Sequence, residues 1–164
     1  MRVIKKYGWL ILAGAIVLTL FISSSMSYQQ QTVVPLLSRW LPEQAPWPWL
    51  AGIHFTYANA PISTEAMGFP AFVEFFIRKA AHFSIFLVFS FALSHGLTRL
   101  AHRPGWHSLA GVAASFVLAA GDEFHQSLTH GRSPLFQDVI LDTCGAAVGA
   151  LLAFWLWRRH RSRR

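Results

Sequence analysis

The sequence predicts an all-α integral membrane protein, a four-helix bundle with a long outer loop between its first and second spans. Three observations lead there. Of 164 residues, 54% are hydrophobic and only 13% are charged. Four stretches, 7–38, 80–94, 104–121 and 143–157, carry no Asp, Glu, Lys or Arg apart from residues at their flanks, and a span needs about 20 mostly apolar residues. The basic residues gather in segments that fall on one side of the membrane if there are four spans. The length suits a single domain over 1–164.

The first span is expected over about 7–26, behind Arg2, Lys5 and Lys6. Its apolar run is long and lacks an A-x-A site, so it reads as a retained span rather than a cleaved signal peptide. Residues 27–71 follow as the outer loop. Pro35, Pro42, Pro46, Pro48, Pro61 and Pro70 argue against a long helix there. Trp40, Trp47, Trp49 and Tyr57 suit the membrane–water boundary, and the loop is expected to lie on the bilayer surface as a partial lid. The second span is expected over 72–97, the third over 107–127 and the fourth over 135–157. For the fourth, Ser133 serves as N-cap and Pro134 as first helical residue.

Lys and Arg concentrate in cytoplasmic segments of membrane proteins. Ten of the fourteen here lie before span one, between spans two and three, or after span four, which places both termini in the cytoplasm. The tail "RRHRSRR" then reads as an anchor near anionic lipid rather than a nucleic-acid site. The single cysteine, Cys144, excludes an intramolecular disulfide. All seven acids (Glu43, Glu65, Glu74, Asp122, Glu123, Asp138 and Asp142) fall on the outer side or in the outer halves of spans.

Helical spacing gathers these groups. Glu74, Arg78 and His82 share a face at i, i+4 and i+8, as do Asp122 and Gln126, and Asp138 and Asp142. Gly145 and Gly149 continue the last face inward and would let another helix approach. A helix rises about 1.5 Å per residue, which places Asp142 about 12 Å along its span. Charged groups at such depth face the bundle interior and pair. The expected arrangement is therefore one polar layer, open outward, in which Arg78, Lys79, His82 and Arg132 face Asp122, Glu123, Asp138 and Asp142. Phe83, Phe86 and Phe89 read as lipid-facing or packing surface.

Three ordered motifs, "FIRKAAHF" (76–83), "GDEFHQSLTHGRS" (121–133) and "QDVILDTCGAAVG" (137–149), together with "LFISSS" (20–25), resemble those of the VanZ-like family of small bacterial membrane proteins. Two departures stand out. His130 occupies a position where a proline is usual, and Ile85 and Phe86 stand where many members have an acidic residue and a tyrosine. The resemblance implies a multi-pass protein of the bacterial inner membrane, with a link through the founding member to resistance against the glycopeptide teicoplanin.

Chemically, the layer suits action on, or binding of, an envelope lipid or lipid-linked precursor. Asp122, Glu123, His125, Asp138, Asp142 and His82 are the candidates for acid–base work. Arg78, Lys79, Gln126, Arg132 and Ser133 are the candidates for holding a phosphate or carboxylate headgroup. No H-E-x-x-H, G-x-S-x-G or Walker-type motif is present, and no cofactor is indicated. An oxygen-rich set of this kind would suit Mg²⁺ or Ca²⁺ better than zinc. The competing reading is a non-catalytic accessory protein whose charges only fix helix register. Four spans and no inverted repeat fit a transporter poorly. The topology has a direct test: reporters fused to either terminus should signal the cytoplasm, and an external terminus would overturn the four-span order.

Overall fold

The computed structural model describes residues 2–101, 103–128 and 134–162, with side chains from residue 6 onward, residue 104 excepted. The chain is mostly helical. Helix α1 covers Arg2–Ser24, and four one-turn helices follow in the outer segment: α2 (Tyr28–Gln31), α3 (Val34–Leu37), α4 (Pro48–Ala51) and α5 (Thr64–Met67). Between α4 and α5 lies a hairpin of β1 (His54–Tyr57) and β2 (Ala60–Ser63). The long helices α6 (Phe69–Leu100), α7 (Pro104–Ser127) and α8 (Phe136–Arg161) complete the fold.

Among the described residues, three helices are long and apolar enough to cross a membrane: α1 over Lys6–Ser24, α6 and α8. Helix α7 has the length but carries His107, Asp122 and Glu123, which lower its hydropathy. Helix α6 runs beyond its expected span at both ends, α7 at its start and α8 at its end, whereas α1 stops at Ser24, short of the expected 26. The start of α8 differs in kind. Its N-cap is Leu135 rather than Ser133, and Pro134 lies outside the helix. The carboxylate of Glu123 accepts the Leu135 N–H at 2.7 Å, so a side chain from α7 satisfies that donor. Ser133 itself lies outside the described residues.

Helix α6 packs against α1, α7 and α8, and α7 also packs on α8. Helix α1 presents Ala13, Ile16, Leu20 and Ser24 inward, the three-and-four spacing of one helical face. The core they join includes Phe86, Phe89, Ala92, Ala119 and Val139. Phe86 is fully buried, so it is packing surface rather than lipid-facing. Gly145 and Gly149 allow the closest approach. A Cβ at Gly145 would meet the Phe83 carbonyl oxygen at 2.3 Å, and one at Gly149 would meet that of Leu87 at 2.1 Å.

The outer segment lacks a long helix, as its prolines require, but it is more ordered than a surface loop. Leu50 and Ile62 pack with Phe69 and Phe72 of α6 in a second small core. Strands β1 and β2 pair from His54–Ser63 to Tyr57–Ala60, leaving a two-residue turn in which Ala58 and Asn59 have φ of 50° and 65°. That left-handed turn matches the twist of paired strands, and a Cβ makes it costly at Ala58. Gly68, with φ of 80°, separates α5 from α6. Trp40, Trp47 and Trp49 remain exposed.

The close approach of α6 and α8 has a simple check. Gly149→Ala should destabilise the purified protein by about 1–3 kcal/mol through overpacking, seen as a lowered melting temperature in detergent. Gly14→Ala, with nothing within 4 Å of the added carbon, should be neutral or slightly stabilising. Equal melting of Gly149→Ala and wild type would contradict the packing.

Candidate functional site

The ionisable residues converge where the C-terminal ends of α1 and α7 meet the N-terminal halves of α6 and α8. The structure divides them into two levels instead of one layer. The upper level lines a cavity of about 430 Å³ beneath the outer segment. Its charged walls are Glu74, Arg78 and Lys79 from α6, Glu123 from α7 and Asp138 from α8, with Gln126 beside them. Tyr28 and Tyr57 from the outer segment complete the wall. The volume lies within the about 300–1,000 Å³ typical of ligand pockets.

Lys79 Nζ donates to Asp138 Oδ1 at 2.5 Å and sits 4.5 Å from the centre of the Tyr57 ring. The Tyr57 hydroxyl donates to the same carboxylate oxygen. Thus β1, α6 and α8 meet at one acid. Tyr57 was expected as an interfacial anchor; the hairpin turn carries it inward instead. Burial, and then the hydrogen bond to Asp138, hold its phenol well above the ordinary pKa of 10.0.

Arg78 differs from expectation. It pairs within its own helix, Nη1 lying 3.7 Å from Glu74 Oε1, and its guanidinium lies 5.2 Å from the Tyr28 ring centre. The two are one helical turn apart, so the i, i+4 geometry that placed them on one face also pairs them. Glu74 is 2% exposed. Its Oε2 accepts the Thr32 hydroxyl at 2.7 Å and the Val34 N–H at 2.9 Å. The carboxylate therefore pins the segment between α2 and α3 onto α6.

One turn deeper lie His82 and Asp142, with Nδ1 and Oδ2 3.4 Å apart. Asp142 is 1% exposed, and its Oδ1 has no hydrogen-bond partner among the described residues. Asp122 accepts from Gln126 at 2.6 Å. Neither His82, Asp142 nor Asp122 lines the cavity. His125 is turned aside: its Nδ1 lies 2.7 Å from Ser24 Oγ, and its ring stacks on Phe21 at 5.0 Å. Arg132 and Ser133, expected to hold a headgroup, lie outside the described residues. Among the described residues, no three His, Cys, Asp or Glu groups are arranged to hold a metal ion.

The pair His82–Asp142 follows from the facing helical stripes in the sequence; Lys79, one residue off that stripe, was expected among the bases facing the acids. Glu74, Tyr57, Tyr28 and Ser24 were missed as site residues. Glu74 alone had a usable signal, since it begins the stripe that runs through Arg78 and His82.

The raised Tyr57 pKa has a definite sign. The protonated phenol is the favoured form in the fold. Its contribution is fully present below the unfolded value of about 10 and is lost as pH rises through the folded value. In an ultraviolet titration Tyr57 should therefore ionise above the ordinary phenol range, and Tyr57→Phe should remove that late phase. A Tyr57 that ionised in the ordinary phenol range would contradict the contact.

A family model, VanZ/LLP1, matches residues 9–158. No curated protein and no solved structure matches the chain. The match spans all four long helices and both levels of the site, and on that extent the chain belongs to the VanZ/LLP1 family.

Proposed function

We propose that this VanZ/LLP1 protein is a four-span protein of the bacterial inner membrane, with both termini cytoplasmic, whose outward cavity binds the headgroup of an envelope lipid or lipid-linked precursor. The observation that carries this reading is the cavity itself: about 430 Å³, with Arg78 and Lys79 in a wall capped by Tyr28 and Tyr57. Arg78 has its carboxylate only at 3.7 Å, beyond a hydrogen bond, so its fork is available to a phosphate oxygen. The apolar helices α1, α6 and α8 support the membrane setting, and the basic segments support the orientation. Through the founding member of the family, the same reading extends to an effect on glycopeptides of the teicoplanin type, by changing how an envelope target is exposed.

A second reading, an accessory protein whose charges only lock helix register, is favoured by the Lys79–Asp138 bond, which already joins α6 to α8. The two readings separate by mutation. On the first, Arg78→Gln and Asp138→Asn weaken lipid retention by the purified protein, about tenfold for a lost charge-assisted bond, while the protein still accumulates in the membrane. If single neutralisations destroyed accumulation and the double exchange Lys79→Asp with Asp138→Lys restored it, the register reading would hold instead.

A further inference from the structure

The cavity is not built for an anion alone. Among its described lining residues, three carboxylates (Glu74, Glu123 and Asp138) stand against two cations, Arg78 and Lys79. Two of the acids are engaged. Asp138 Oδ1 receives Lys79 and Tyr57, and Glu123 Oε2 receives the Leu135 N–H. Glu74 is different. Its Oε2 takes two donors, while Oε1 is buried and without a hydrogen-bond partner among the described residues.

A buried carboxylate oxygen without a donor is costly, and the nearest compensation is Arg78 Nη1 at 3.7 Å. A phosphate that drew Arg78 away would deepen the deficit. The deficit disappears if the ligand brings its own donor. Glu74 Oε1 and Arg78 Nη1 lie 3.7 Å apart, so the two ends of one short ethanolamine phosphate can reach both. Resting on the headgroup reading above, we propose that the cavity recognises a headgroup bearing both a phosphate and a primary ammonium. Glu74 Oε1 accepts from the ammonium, and Arg78, with Lys79 beside it, holds the phosphate. A primary ammonium has three N–H donors, as in lysine. A quaternary ammonium has none, so it matches the charge and leaves Oε1 unbonded.

The test is native mass spectrometry of the delipidated full-length protein with dioleoyl phosphatidylethanolamine, phosphatidylcholine and phosphatidylglycerol. The wild type should bind the ethanolamine lipid about tenfold more tightly than either of the others. Glu74→Gln should bring the three close to parity, because an amide gives the ammonium only a neutral acceptor. Wild-type binding of the choline or glycerol lipid as tight as that of the ethanolamine lipid would overturn the proposal, and that comparison needs no variant. So would a preference that survives Glu74→Gln. If no lipid's binding responds to Arg78→Gln, the headgroup reading itself fails, an outcome distinct from a wrong headgroup. Soluble O-phosphoethanolamine distinguishes the sources of one chemistry. Displacement at potency similar to the lipid identifies a free ligand, and weak displacement identifies a membrane lipid; either supports the two-ended site.

Discussion

Asp138 is the point on which the outer half of the molecule depends. A carboxylate on the first turn of α8 receives Lys79 from α6 and Tyr57 from the hairpin, so one acid joins two long helices and the segment above them. Desolvation makes each charge costly alone, and the fold answers by bringing donors from two elements, α6 and β1, to one oxygen on a third. The same solution recurs at Glu74, where Thr32 and Val34 bring the outer segment down on α6. The cavity exists because these two acids hold its roof at two places while the helices supply its walls.

Below this level the principle changes. Gly145 and Gly149 bring α8 onto the backbone of α6, and Phe86, Ala92, Ala119 and Ala146 fill the interior without polar atoms on their side chains. Close packing of small residues holds the deeper half together, joined by serine hydroxyls that donate between helices, Ser94 to the His107 carbonyl and Ser108 to that of Ala150. Charged pairing and close small-residue packing thus occupy successive turns of the same helices. His82 and Asp142 stand at the border between them.

Much of this was legible in the sequence because helical periodicity is local. The faces shared by Glu74, Arg78 and His82, and by Asp138 and Asp142, follow from residue spacing alone, and so does the close approach at Gly145 and Gly149. The partners were harder. Spacing places Arg78 equally near its own-helix acid and the facing helices, and only packing decides between them. The roles of Tyr57, Tyr28 and Thr32 depend on a hairpin and one-turn helices in a proline-rich segment, where no periodic signal marks which way a ring will turn. The start of α8 was hidden for the same reason, since the Leu135 N–H is satisfied by Glu123 from another helix.

The glycine contacts have a consequence for what the cavity can do with a ligand. Where α6 and α8 touch backbone to backbone, there is no room for the cavity to continue inward between them, and opening that seam would mean parting surfaces too close to admit even an added methyl carbon. Along that seam the floor of the cavity is set by two glycines rather than by any side chain, so its depth is fixed by the backbone.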